Sequence, residues 1–137
     1  MARVLIIEDD GPMRALIRQV LERAGHEVEE ARDGTAGIRA FVARPSDLVV
    51  VDLYLPETNG WETVRALQRR APGVPFVIVS GGAALEGLHR GSPGTLEEAR
   101  RFADFRILRK PFGCEALTVA VADLLGPDAR AASGVAR

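Results

Sequence analysis

The sequence predicts an α/β fold in which five parallel strands form one doubly wound sheet flanked by five helices. Strand-like and helix-like patterns alternate along the chain to residue 125. Apart from the second, the strand-like runs are short, rich in β-branched residues and unbroken, as in a parallel sheet covered on both faces. Four of these runs also stop on polar residues, and ligands of such sheets bind at the carboxyl ends of the strands.

The first strand is Val4-Leu5-Ile6-Ile7, ending at Glu8-Asp9-Asp10. Asp10-Gly11-Pro12 is a turn with proline placed to begin a helix. Met13, Leu16, Ile17, Val20, Leu21 and Ala24 follow at helical spacing, and Gly25 ends that helix. Val28 to Ala31 is a short second strand. Asp33-Gly34 opens a smaller helix through Ile38, Phe41 and Val42, which Pro45 closes. The third strand, Leu48-Val49-Val50-Val51 before Asp52, is the most hydrophobic and is expected at the centre. Leu55-Pro56 through Asn59-Gly60 is a loop, and Trp61, Val64 and Leu67 give the next helix its apolar stripe.

Pro72-Gly73 and Pro75 bracket the turn into the fourth strand, Phe76-Val77-Ile78-Val79, which stops at Ser80. From Gly81 to Gly94 five glycines and a proline interrupt the pattern, predicting a long loop with room for one helical turn in Ala83 to Arg90. Thr95-x-x-Glu98 resembles a capping box for a helix over Thr95 to Ala103. The fifth strand is Phe105 to Arg109, before Lys110-Pro111. The last helix, Glu115 to Leu125, turns Leu117, Val121, Leu124 and Leu125 inward and stops at Gly126-Pro127. Residues 1–125 therefore form one domain, and 126–137 a short flexible tail.

The 137 residues, 47% hydrophobic and 27% charged, suit one soluble domain with a full core. A net charge of −1 points to no nucleic-acid partner. The apolar stretches fall short of the ~20 residues of a membrane span, and no signal-peptide segment precedes the first strand. A single cysteine, Cys114, excludes an internal disulfide and fits a reducing compartment, so a cytoplasmic protein is expected. Of eighteen basic residues, seventeen are arginine and Lys110 is the only lysine. In so arginine-biased a chain, that position calls for a compact, flexible point charge and not a planar fork.

Five strands fit the flavodoxin-like order 2-1-3-4-5, in which strands 1 and 3 are neighbours at the switch point. Glu8-Asp9-Asp10 would then face Asp52, flanked by Ser80 and Lys110. Here the sequence resembles the receiver domain of two-component response regulators, over residues 3 to 125. The resemblance rests on Leu5-Ile6-Ile7-Glu8-Asp9-Asp10, Val51-Asp52-Leu53-Tyr54-Leu55-Pro56 with Asn59-Gly60, Val79-Ser80-Gly81 and Lys110-Pro111-Phe112. Each motif alone is weak; together, in order, at successive strand ends, they are specific.

The resemblance implies that Asp52 is the phosphoacceptor and that Glu8 and Asp9 are the acidic pair holding Mg2+. Ser80 takes the place of the hydroxyl that contacts the phosphoryl group, Lys110 that of the lysine that pairs with it, and Lys110–Pro111 is the family's cis peptide. It implies a phosphate-accepting signalling domain and not a turnover enzyme. The expected partners are a sensor histidine kinase or phosphotransfer protein and a downstream protein, with the chain acting as a stand-alone monomer or weak dimer. The chemistry agrees with this. An aspartate accepts a phosphoryl group as an acyl phosphate. Clustered carboxylates repel one another, and a hard cation with oxygen ligands resolves the conflict. Asp9 and Asp52 are expected as direct ligands, Glu8 through water, and Tyr54 through its backbone carbonyl. Lys110 and Ser80 neutralise phosphoryl oxygens, and Gly81 leaves the group room to enter.

Three departures from the family pattern stand out. Glu8 replaces the usual aspartate. The Ser80–Lys110 stretch is longer by roughly two helical turns' worth of residues. Ile107 occupies a place where many receivers carry an aromatic residue. Any switch is thus expected in the Ser80–Gly81–Gly82 loop, with Ile107 packing against the last helix. Two rival readings are a phosphorylation-independent pseudo-receiver and a haloacid-dehalogenase-like phosphatase. Intact Asp9, Asp52, Ser80 and Lys110 oppose the first, and the missing second acid in Asp52-Leu53-Tyr54 opposes the second. Elsewhere, Asp10 fits either the acidic site or a helix cap, Cys114 a half-buried helix position, His26 a solvated turn, His89 a loop without metal, and Trp61 packing.

Overall fold

Each apolar run pairs with its neighbours as a parallel strand in the computed structural model, which describes residues 2–53, 60–81 and 104–126. The elements are β1 (Arg3–Ile7), α1 (Gly11–Arg23), β2 (Glu27–Ala31), α2 (Gly34–Ala43), β3 (Leu48–Asp52), α3 (Gly60–Arg70), β4 (Phe76–Ser80), β5 (Phe105–Arg109) and α4 (Cys114–Leu125). The five strands are ordered β2-β1-β3-β4-β5, which is the expected topology. Four helices lie among the described residues; the helix expected over Thr95 to Ala103 lies outside them, as do Tyr54, Gly82, His89 and residues 127–137.

Strand alternation divides the core into two layers. Leu5, Ile7, Val49, Val51, Phe76 and Ile78 pack on one side of the sheet with Phe41 of α2 and Trp61, Val64 and Leu67 of α3. Val4, Ile6, Leu48, Val50, Val77 and Val79 pack on the other with Ile17 and Leu21 of α1 and Leu117 and Val121 of α4. All residues of β3 and β4 are buried, so the two innermost apolar runs fill both layers at once.

The helix starts show why the strand ends are fixed in place. The Asp10 carboxylate accepts the Met13 N–H at 3.1 Å and caps α1, and Asp33 does the same for α2 through the Ala36 N–H at 2.7 Å. Asp10 is therefore the cap. Past α1, Gly25 takes a φ of +94°, a left-handed turn suited to glycine. At the β2 edge, Arg3 grips Glu27 and Glu29, Arg44 reaches Glu27 at 3.0 Å, and Glu30 joins Arg14 at 2.9 Å and Arg18 at 2.5 Å.

Three expectations need correction. Ile107 packs in the α2/α3 layer with Phe105 and not against the last helix, because its strand parity is that of Phe105, one side away from Leu108. Cys114 opens α4 and is exposed, lying outside the helix's buried set of Leu117, Ala120, Val121 and Leu125. His26 is partly buried, and its Nδ1 accepts the Ala2 N–H at 3.2 Å, tying the turn back to the start of β1.

Candidate functional site

The register sets the site. Ile7 pairs with Val51, Asp52 with Val79, and Ser80 with Arg109. Glu8 and Lys110 each lie one step past a strand, and Asp52 is the last residue of β3. By alternation Glu8, Asp52 and Lys110 all fall on the α1/α4 side of the sheet. Side chains far apart in sequence therefore converge on one point.

The Lys110 ammonium lies 2.8 Å from Asp52 Oδ2 and 3.2 Å from Glu8 Oε1. Asp52 is 3% exposed and Glu8 1%. Asp9 is exposed at the mouth, and one ligand oxygen from each of Glu8, Asp9 and Asp52 lies within 4.8 Å of the others. Burial pushes the Glu8 carboxyl up to about 7, and the adjacent Asp52 adds to the rise. Lys110 is pulled the opposite way by burial, but its hydrogen bond to Asp52 and the Glu8 charge prevail and raise it. Glu8 Oε2 accepts the Asp10 N–H at 3.2 Å. Oε1 is shielded from solvent and accepts no hydrogen bond despite the nearby ammonium.

This donor set fits Mg2+. It offers three carboxylates, all hard oxygen donors, and a buried oxygen with an unfilled acceptor site. The Lys110–Pro111 peptide is cis. Ser80 is fully buried, and its hydroxyl donates to the Gly81 carbonyl at 2.8 Å. Its parity is opposite to that of Asp52, which accounts for the different direction. Among the described residues, none other than its chain neighbours lies within 4 Å of where a Cβ on Gly81 would stand.

Two residues matter here beyond those expected. A Cβ on Gly60 would come within 2.4 Å of Leu53 Cα and 2.6 Å of the Asp52 carbonyl oxygen, so only glycine lets α3 start against the backbone of the central acid. The sequence marked Gly60 as a loop glycine, but the contact that demands it is tertiary. Arg14 of α1 donates from Nη1 to the Glu8 carbonyl at 2.8 Å. Its polar place on the helix carried no signal, because the acceptor lies on another element.

A family model described as the response regulator receiver domain matches residues 4–122. RpaA of Synechocystis sp., described as a DNA-binding dual master transcriptional regulator, is 30% identical over 127 residues, which are 91% of this chain and 49% of that protein. The chain spans just under half the length of the first curated relatives it matches. A response regulator receiver domain protein from Clostridium thermocellum shares the fold at a TM-score of 0.79 and 24% identity, over 95% of this chain and 98% of that one. The chemotaxis protein CheY4 of Vibrio cholerae superposes at a TM-score of 0.76 with 26% identity, over 91% of this chain and 99% of its own.

Proposed function

This chain belongs to the response regulator receiver domain family, and from that premise we propose that Asp52 accepts a phosphoryl group from a histidine kinase or phosphotransfer protein. The observation that carries the reading is the buried Asp52 carboxylate, held 2.8 Å from the chain's only lysine and beside Glu8. An Asp52 oxygen would attack phosphorus in line, and the bond to the donor's imidazole nitrogen would break with its electron pair leaving on that nitrogen. Lys110 would then pass from the carboxylate to a phosphoryl oxygen, a move suited to a flexible ammonium. The backbone at Ser80–Gly81 would shift to carry the Ser80 hydroxyl from the Gly81 carbonyl to another phosphoryl oxygen.

Glu8, Asp9 and Asp52 would hold Mg2+, with the Tyr54 carbonyl as a further ligand. Bound there, the cation supplies charge neutralisation for the acids and for the transferring group. Readout is assigned to the Ser80–Gly82 loop, because Ile107 is stiff at its first torsion and has no polar tip to exchange partners. The receiver's own contacts are read as contacts with proteins, in line with its net charge of −1. No helix among the described residues is long and apolar enough to cross a membrane.

Acetyl phosphate, with and without Mg2+, tests the assignment by intact-mass analysis. One phosphoryl group is expected on the wild-type chain only with Mg2+, and none on Asp52→Asn. Undiminished labelling of Asp52→Asn would overturn it.

A further inference from the structure

We propose that Arg14 is a positioning residue for the Glu8–Asp9 acid pair, fixing from α1 the peptide plane that joins the two acids. The proposal rests on the reading that this pair holds Mg2+. Ile7 is the last residue of β1 in register with both neighbouring strands. Past it, the Glu8 N–H still donates to the Ala31 carbonyl at 3.0 Å, while the Glu8 carbonyl accepts Arg14 Nη1 at 2.8 Å. That carbonyl and the Asp9 N–H belong to one rigid plane. Its orientation sets the last backbone torsion of Glu8 and the first of Asp9 together.

The two acids place opposite demands on that plane. Glu8 must point inward, where it is 1% exposed, and Asp9 must stay at the open mouth. Yet their oxygens come within 4.8 Å of each other and of Asp52. A rotation of the shared plane moves both carboxylates, and a cation bound between them registers the sum of the two displacements.

Arg14 is itself held. Its Nε donates to Glu30 Oε1 at 2.9 Å, and the second Glu30 oxygen accepts Arg18 Nη1 at 2.5 Å. One planar guanidinium therefore spans a carboxylate on β2 and a backbone carbonyl past β1, with its angle set by two arginine–glutamate contacts. A lysine would reach one acceptor but could not hold both in a fixed geometry.

Calorimetric titration of the full chain with Mg2+ tests this on Arg14→Met, Arg14→Lys, Glu30→Gln and the double variant Arg14→Met/Glu30→Gln. Arg14→Met is expected to weaken Mg2+ by about tenfold, the usual scale for residues that orient metal ligands. Arg14→Lys should fall between it and the wild type. Glu30→Gln should weaken binding less, and the double variant no more than Arg14→Met, because Glu30 acts only through Arg14. Arg44→Ala, which removes another β2 ion pair, should leave the affinity unchanged.

The Asp9 amide resonance in the metal-free protein gives a second readout, and is expected to shift in Arg14→Met because its own peptide unit loses a donor. Wild-type Mg2+ affinity in folded Arg14→Met, with the Asp9 amide unmoved, would overturn the positioning role. If the wild-type chain did not bind Mg2+, or if Asp9→Asn bound it equally well, the metal-binding reading would fall, and this role with it.

Discussion

Two ionic groups in this domain use the same chemistry to opposite ends. At the β2 edge, Arg3, Arg14, Arg18 and Arg44 meet Glu27, Glu29 and Glu30 in a partly solvated lattice of nearly matched charge. At the carboxyl ends of β1 and β3, the carboxylates of Glu8, Asp9 and Asp52 gather with Lys110 as their cation. In the edge lattice each carboxylate has an arginine partner, and Arg18 holds the Glu30 carboxyl below its usual range, although the buried Nε of Arg3 donates no hydrogen bond. The carboxyl-end group is in conflict, with Glu8 driven up to about 7. Both groups are rich in charge, so charge density does not separate them. What marks the site is charge that its surroundings fail to satisfy. The choice of cation follows, because arginine forks lock an arrangement and a lysine can let go of one.

The largest expected effect tests the conflict directly. Glu8 has a folded value of about 7 against an ordinary 4.5, so the fold favours its neutral form. Its contribution to stability is full below about pH 4.5 and is lost as pH rises through 7. Metal-free wild type should lose on the order of 3 kcal/mol relative to Glu8→Gln across that window, measured by urea unfolding. A flat difference between the two proteins would dissolve the contrast.

Removing the cation comes next. Lys110→Met leaves Glu8 and Asp52 facing each other and, above pH 7, should cost about 2 kcal/mol without metal. The figure is below that of a fully buried pair because the lysine side chain is 28% exposed. Added Mg2+ should return most of the loss, and a melt unaffected by Mg2+ would argue against a shared cation site. The smallest effect belongs to the edge. Arg44 and Glu27 are 65% and 40% exposed, so Arg44→Ala should change stability by less than about 0.5 kcal/mol, and less still in high salt. A cost matching that of Lys110→Met would mean that the two groups are alike after all.

Four of the strands and the strand-end motifs were legible because they are local signals, unbroken apolar runs with polar residues directly after them, and the strand order followed from the few arrangements open to five parallel strands. What escaped depended on which element lies opposite. Asp10 fitted either a cap or a ligand until its carboxylate was found on the Met13 N–H. Ser80 stands beside Asp52 in any list of strand ends, but the Asp52–Val79 register gives it the opposite parity. Ile107 was assigned to the wrong layer for the same reason: which side of the sheet a strand residue faces is fixed by its neighbours and not by its own run. The Arg14 contact with Glu8 and the Gly60 contact with Leu53 link residues on different elements, which no pattern within one element encodes.

The solitary lysine also makes the site chemically addressable. Lys110 carries the only side-chain amine in the sequence, so a reagent that acylates lysine has a single side-chain target, and it lies against Asp52 and Glu8. Only the uncharged amine is nucleophilic, and Asp52 and Glu8 keep this one protonated. Its rate of acylation is thus a measure of how firmly those carboxylates hold it. Anything that draws them away would quicken the reaction, and anything that clamps the ammonium would slow it, so that one modification rate reports the state of the whole cluster.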